Sequence, residues 1–196
     1  MVAPSTTQPI TVTEYHRLAE TGVLTEDDRV ELIAGVIVPL SPIGPVHATS
    51  VTRLHNFLER AIGHSFEIRS QNPVRLNNLS EPEPDVLVLQ PRSYRQALPT
   101  PADVVLLIEV TDSSLAADHG TKLPLYAAAG ITEVFLVDLI GELLERHTEP
   151  QDGSYRRIIT AGRGASVTSS VLPSLEIPVD VALGYTISTH RRDAEN

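Results

Sequence analysis

Three residues of this chain have the types and the spacing to carry out metal-dependent chemistry. Lys122 is the sole lysine among 15 basic residues. Guanidinium and ammonium groups replace each other at most solvated positions, so one retained lysine indicates a place that needs a compact ammonium. Glu109 and Asp85 border two strongly apolar runs upstream of it. Two acids on neighbouring strands with a lysine just beyond them predict a divalent-metal phosphodiesterase site; the alternative is a lysine that survives by chance on a solvated turn.

Each acid also has a purely structural interpretation. Glu109 follows five consecutive aliphatic residues, which is typical of a strand covered on both faces of a sheet. A buried carboxylate there costs roughly several kcal/mol unless a cation offsets it, whereas a glutamate at the exit of the strand simply reaches water. Asp85 follows a proline, and an aspartate in such a turn commonly accepts backbone hydrogen bonds. Glu133 and Asp138 flank another apolar run, so by position alone all four acids compete equally.

The residues around Lys122 predict the element that carries it. Pro124 has no backbone N–H and is best tolerated in the first turn of a helix. We therefore predict a helix over 121–129 with Thr121 as its N-cap, which puts Lys122 at the first helical position. A cation there opposes the helix dipole, at a cost of about 0.3–1 kcal/mol, which makes sense if it faces carboxylates or a phosphate. The alternative is a helix that begins nearer Ser113 and is kinked at Pro124.

The rest of the pattern predicts the elements that position these residues. A capping box of Thr11 and Glu14 begins a short helix, and apolar residues at helical spacing predict a second helix over 46–63. A hairpin turn falls between them at 34–35. The C-terminal segment is expected to pack loosely or to form a sheet edge. The predicted strands lie at 30–33, 36–38, 66–71, 74–76, 85–89, 104–110, 134–137, 143–147 and 155–160.

This order of elements predicts the α/β class, with a central mixed sheet flanked by helices. The 196 residues suit a single domain over 1–196, with flexible tails at 1–9 and 187–196. The sequence contains neither G-x-G-x-x-G nor G-x-x-x-x-G-K. Binding of a dinucleotide or nucleoside triphosphate through those loops is therefore excluded.

Composition restricts the class of protein and its partners. A hydrophobic content of 41% and the absence of cysteine predict a globular protein without disulfides or a thiolate metal site. No apolar run is long enough for a membrane span, so the expected location is the cytoplasm. The net charge of −10 counts against strong binding of nucleic acid, because phosphate contacts dominate that affinity. A local basic patch could still support weak or transient binding, and the candidates are Arg53, Arg60, Arg69, Arg75, Arg92 and Arg95.

Together these motifs resemble a known family. The similarity extends over roughly residues 12–185 and includes the run of residues 107–114 with Lys122 and Tyr126. It resembles the Uma-type family of restriction-endonuclease-like bacterial proteins, in the PD-(D/E)XK nuclease superfamily. The matching segments are 31–35, 47, 84–85, 109–111, 118–122, 126–130 and 133–138.

The resemblance implies a restriction-endonuclease-like core and a role for several residues. Asp85 matches the first acid of the superfamily motif and Glu109 the second, which implies that they bind Mg²⁺ or Mn²⁺ with the carbonyl of Val110 as a further ligand. The lysine of the motif is replaced by Thr111. Related nucleases can supply that lysine from the following helix, which is where Lys122 lies.

Further residues gain roles from the same resemblance. Glu31 matches an early strand glutamate, implying a contact with the metal or with its water. His47 matches a histidine at the start of the second helix, with a capping or surface histidine as the alternative. Gln71 is either a cleft residue or an exposed glutamine at a strand end. The implied activity is that of a metal-dependent endonuclease acting on DNA as a homodimer; the alternatives are a catalytically silent scaffold and a hydrolase of a small phosphoester.

Overall fold

The computed structural model of the chain describes residues 8–25, 27–112 and 115–186, except the side chains of 115–119. No helix within those ranges is both long and apolar enough to traverse a bilayer. The helices are α1 (Val12–Glu20), α2 (Pro45–Ile62), α3 (Leu115–Ala128) and α4 (Val179–Ala182), with a 3-10 turn at Pro101–Asp103. The strands are β1 (Val30–Ile33), β2 (Val36–Pro39), β3 (Glu67–Ser70), β4 (Val86–Leu89), β5 (Val104–Thr111), β6 (Glu133–Asp138), β7 (Leu143–Gln151), β8 (Ser154–Gly162), β9 (Ser166–Thr168) and β10 (Glu176–Pro178).

The main sheet has six strands in the order β3-β4-β5-β6-β7-β8. Every neighbouring pair is antiparallel except β5 and β6, which run parallel. A parallel pair needs a crossover, and α3 supplies it between these two strands. The predicted α/β class with a central mixed sheet flanked by helices is therefore confirmed.

The centre of the sheet is buried because its strands are apolar on both faces. All residues of β4 and β6 are buried. Along β4, Val86 and Val88 pack in one hydrophobic cluster with Leu54 of α2. Leu87 and Leu89, which point the other way, pack in a second cluster with residues of α3. The sheet is thus covered by a helix on each face, which accounts for the continuous apolar runs in the sequence.

The predicted start of the third helix is wrong, and its alternative agrees better with the structure. α3 begins at Leu115, so Pro124 lies inside the helix and Lys122 is an interior residue rather than the first one. A proline inside a helix costs about 3 kcal/mol. Burial of Leu123 and Tyr126 against the sheet offsets that cost with about 1.5–3 kcal/mol for each large apolar side chain. The helix-dipole argument for Lys122 therefore does not apply; Ser113 lies outside the described residues.

Two other predictions of secondary structure are wrong. Residues 74–76 form no strand; their backbone is held by loop bonds, such as that from the N–H of Val74 to the carbonyl of Pro82. The C-terminal segment neither packs loosely nor forms an edge of the main sheet: β9 pairs with β10 in a separate two-stranded sheet, and Val167 and Ile177 are buried in the main core. The predicted tails lie outside the described residues, apart from Gln8 and Pro9.

Candidate active site

A polar cavity of about 330 Å³ opens at one end of the sheet. Its walls come from β1, the end of β5, the start of α2, the middle of α3 and the segment 38–43. Four of the sequence-predicted site residues on different elements face it: Glu31, Asp85, Glu109 and Lys122. His47, Gln71 and Val110 also line this cavity.

Asp85 and Glu109 meet because their strands are neighbours in the sheet. Val86 of β4 is paired with Ile108 of β5 in antiparallel register, so the next residue outward on each strand lies opposite the other. The N–H of Val110 donates to Oδ2 of Asp85 at 2.8 Å. Both acids are largely removed from water, with 8% of Asp85 and 5% of Glu109 exposed. The cavity therefore carries two buried carboxylates at its inner end.

Glu109 is held in an environment that disfavours its charge. Burial, together with the negative charges of Asp85 and Glu31, raises its pKa to about 7, while the ammonium of Lys122 and a hydrogen bond from Tyr126 act in the opposite direction. The phenol of Tyr126 donates to Oε1 of Glu109 at 2.5 Å. Burial also raises the pKa of this phenol well above its ordinary range. A cation at this point of the cavity would stabilise the ionised form of Glu109.

Lys122 supplies one such cation. Its Nζ lies 3.2 Å from Oε2 of Glu31 and 3.5 Å from Oε1 of Glu109, and 13% of its side chain is exposed. Lys122 and Tyr126 are four residues apart on α3, so both project from the same face of the helix. That face brings an ammonium and a phenol to the same carboxylate.

Glu31 and Glu83 also line the cavity. The N–H of Glu83 donates to Oε2 of Glu31 at 3.1 Å, the same oxygen that lies near Lys122. The pKa of Glu83 is raised, chiefly by burial and then by the charge of Glu31. Sequence reasoning missed Glu83, although it stands two residues before Asp85 in the run Glu-Pro-Glu-Pro-Asp.

His47 is directed at Asp85. Its Nε2 lies 3.2 Å from both carboxylate oxygens, and 13% of the side chain is exposed. The hydrogen bond to Asp85 raises the pKa of His47 and outweighs the opposing effect of burial. The structure thus joins His47 to Asp85 rather than leaving it on the surface.

The other two acids that competed by sequence do not line the cavity. Glu133 is fully buried and accepts hydrogen bonds from the hydroxyl groups of Ser169 and Ser170 at 2.5 and 2.6 Å. Asp138 accepts from the backbone N–H of Gly141 at 2.8 Å in the turn after β6. Both are engaged in structural contacts.

The arginines of the predicted basic patch lie elsewhere on the described surface. None of the six lines the cavity, whereas Arg29, which was not among them, does. Arg69 and Arg92 each lie 4.9 Å from the ring of Tyr94 and pair with nearby acids. The cations facing the cavity among the described residues are thus Arg29 and Lys122.

The donor set fits a hard divalent cation that keeps most of its water. Mg²⁺ is commonly held by one or two carboxylates, with water in the other positions. Asp85 and Glu109 are two such carboxylates at one end of a polar cavity, and burial, together with repulsion from Asp85 and Glu31, raises the pKa of Glu109. In the described ranges, no group of three or more His, Asp or Glu side chains is arranged to ligate one ion. An ion here would therefore depend on these two acids, a backbone carbonyl and water.

Comparison with other proteins supports this assignment of the fold. Among solved structures, the chain resembles a crystal structure described as a putative nuclease belonging to DUF820 from Anabaena variabilis. The TM-score is 0.70 at 16% sequence identity, covering 90% of this chain and 99% of the other. No curated protein is similar enough to this chain to count as a relative. The model of one family, described as Uma2, putative restriction endonuclease, matches residues 12–180, and the chain belongs to that family.

Proposed function

We propose that this protein is a metal-dependent endonuclease that hydrolyses phosphodiester bonds in DNA. The observation that carries the proposal is the convergence of Asp85, Glu109 and Lys122 on one polar cavity. Membership of the family supports a nuclease-like function. Residues that line the cavity would bind the metal, compensate the charge that develops on the phosphate and orient the acids.

Asp85 and Glu109 would hold Mg²⁺ or Mn²⁺, with the carbonyl of Val110 as a further ligand. When bound, the ion activates water and withdraws charge from the phosphate. Asp85 has a fixed orientation for this role, since it accepts from the N–H of Val110 at 2.8 Å and contacts His47 at 3.2 Å. His47 is therefore a positioning residue that holds the carboxylate in place.

Lys122 would stabilise the negative charge that develops on the phosphoryl oxygens. Its ammonium lies inside the cavity, where low exposure strengthens its interactions. Glu31 holds the ammonium in place at 3.2 Å, and we propose that it also contacts a metal-bound water. The lysine thus reaches the reacting group from α3, although the position that the superfamily motif assigns to it holds Thr111.

Substrate binding is expected to be weak and sensitive to salt. The chain carries a net charge of −10, so a polyanion is repelled except near local cations such as Arg29 and Lys122. We further propose that the enzyme acts as a homodimer, which would allow it to reach two DNA strands. A cysteine-free chain is in keeping with a cytoplasmic location.

Replacement of Asp85 by asparagine tests the proposal directly. Asp85→Asn keeps the size of the side chain and an acceptor for Val110, but it removes the charge that a metal requires. Cleavage of plasmid DNA in Mg²⁺ should fall by about three orders of magnitude. Asp138→Asn is the matched control, because it makes the same change outside the cavity. Undiminished cleavage by Asp85→Asn, together with normal cleavage by Asp138→Asn, would overturn the proposal.

A second candidate function, hydrolysis of a small phosphoester, is favoured by the net charge and by the modest cavity of about 330 Å³. Calorimetric titration with Mg²⁺ and Mn²⁺, followed by assays on plasmid and single-stranded DNA, separates the possibilities. Metal binding with DNA cleavage supports the endonuclease. Metal binding without DNA cleavage points to the small substrate, and the absence of metal binding points to a scaffold.

A further inference from the structure

A second concavity adjoins the proposed active site. It has a volume of about 300 Å³ and lies between α2 and the end of β3. Ile43 and Gln71 line both this groove and the cavity that holds Asp85. The two spaces therefore adjoin each other at these residues. A chain molecule bound in one of them has the other within reach of its next unit.

The lining of the groove differs from that of the active-site cavity. One part is apolar, from Ile43, Ala48 and Val51, and most of the remainder is uncharged and polar, from residues such as Asn56 and Gln71. Among the described residues it has no lining Lys, Arg, Asp or Glu. A phosphate would lose hydration there without gaining a cation. A flat, neutral group with hydrogen-bonding edges suits this combination of walls, since its faces can contact apolar atoms and its edge can contact amides.

His55 and Ser70 complete the polar part of the groove. Nδ1 of His55 is 2.9 Å from the hydroxyl of Ser70, which fixes the orientation of the ring. His55 lies on α2 and Ser70 ends β3, so this contact joins the two elements that form the groove. The groove is thus built from secondary structure and does not depend on a loop alone.

Gln71 links this groove to the acids of the active site. Its backbone has φ +51°, a left-handed conformation in which a glutamine is uncommon. Its N–H donates to the carbonyl of Asp85 at 3.1 Å, and the side-chain amide of Asn72 donates to its carbonyl at 3.0 Å. A strained backbone conformation of this kind persists only where the surroundings impose it. Here it holds the Gln71 side chain at the junction between the two spaces.

We propose that this groove binds the nucleobase next to the phosphate that is cleaved, with Gln71 and Asn56 contacting the edge of the base. This inference rests on the proposed endonuclease function and specifies how the substrate lies. The phosphate occupies the cavity with Lys122 and Arg29, where there are cations. The adjoining base enters the neutral groove, past Gln71. Side-chain amides can recognise a base through paired hydrogen bonds, so these two residues determine preference at that position.

Oligonucleotides with an abasic residue at each position in turn test the inference. The substrates carry a tetrahydrofuran residue at successive positions around the mapped cleavage site, and kcat/KM is measured for each. Removal of the base next to the cut should lower kcat/KM about 10-fold or more, because paired hydrogen bonds to one base edge commonly contribute that much. Removal of bases at other positions should have a much smaller effect. Equal losses at all positions would overturn the inference.

The variants Gln71→Ala and Asn56→Ala assign any such loss to the groove. In the double variant, the penalty for the missing base should shrink to about 3-fold or less, because the contacts are already absent. Gln151→Ala is the matched control: Gln151 is exposed in the β7–β8 hairpin, and this variant should keep the full wild-type penalty. A full penalty in the double variant would overturn the groove proposal while DNA cleavage itself still supports the endonuclease. If the wild-type protein cleaves no oligonucleotide, the endonuclease proposal fails and this inference fails with it.

Discussion

Replacement of Glu109 by glutamine should remove part of the pH dependence of stability in the metal-free protein. Burial and two neighbouring acids raise the pKa of Glu109 from its ordinary value of 4.5 to about 7. The glutamine side chain of the Glu109→Gln variant keeps an oxygen that can accept from Tyr126, which donates to Glu109 at 2.5 Å, but it cannot ionise. The wild-type protein and Glu109→Gln therefore differ mainly in the titration of one buried group.

The sign of the effect follows from the direction of the shift. Because the folded-state pKa of Glu109 is raised, its contribution to stability is complete below pH 4.5 and is lost as the pH rises through 7. At about 1.4 kcal/mol for each pKa unit, the loss between pH 5 and pH 8 is about 2–3 kcal/mol. The variant should therefore gain that amount relative to wild type over this interval. With a urea m-value of about 2–3 kcal/mol/M, the difference in midpoint should change by roughly 1 M.

Urea unfolding at pH 5 and pH 8, in the presence of a chelator, measures this change. Glu176→Gln, which replaces an exposed glutamate on β10, is the matched control for the exchange itself. Addition of Mg²⁺ at pH 8 should stabilise the wild-type protein and not Glu109→Gln, because only the ionised glutamate can ligate the metal. A midpoint difference that stays constant between the two pH values would refute the reasoning about Glu109.

Two other substitutions separate the reactive residues from the structural ones. Lys122→Arg should keep DNA binding but lower kcat about 10-fold or more, because a guanidinium fork does not reproduce an ammonium placed 3.2 and 3.5 Å from two carboxylates. Single-turnover cleavage at saturating Mg²⁺ measures this rate, and full activity would contradict the role proposed for Lys122. Glu133→Ala should lower the free energy of unfolding by about 3–5 kcal/mol, because the guanidinium of Arg146, which is partly buried, loses its ion pair with Glu133. Calorimetry on this variant should give unchanged Mg²⁺ affinity, and a loss of affinity in the folded protein would contradict the separation of the two acids.

Much of the fold could be predicted from the sequence, because its strands have simple patterns. The apolar runs that contain β4, β5 and β6 predict buried central strands, and all residues of β4 and β6 are indeed buried. The capping box of Thr11 and Glu14 is present at α1. Apolar runs and capping boxes depend only on residues close together in the sequence, so they can be predicted from it.

What the sequence could not predict depends on contacts between distant residues. The preference of Pro124 for a first turn is local, but α3 continues through it because Leu123 and Tyr126 are buried against the sheet. Glu83 and Arg29 stand in segments with no regular pattern, and only the folded hairpin and loop bring them to the cavity. The position of the two acids on neighbouring strands was predictable, and the family resemblance indicated Glu31, His47 and Lys122, whereas Glu83 and Arg29 were not predicted.

The resemblance to the nuclease superfamily would place a lysine at position 111, where this chain has Thr111. Thr111 is the last residue of β5, is buried, and is paired with Asp138 of the parallel strand β6. Lys122 lies on the helix that crosses between these strands, and it shares a face of that helix with Tyr126, which also contacts Glu109. A lysine on α3 can therefore approach the carboxylates, whereas a lysine at position 111 would have to extend from a buried position at the end of β5. The same helix fixes the ammonium and the phenol relative to one acid, so a shift of α3 would change the charge and the hydrogen bonding of Glu109 together.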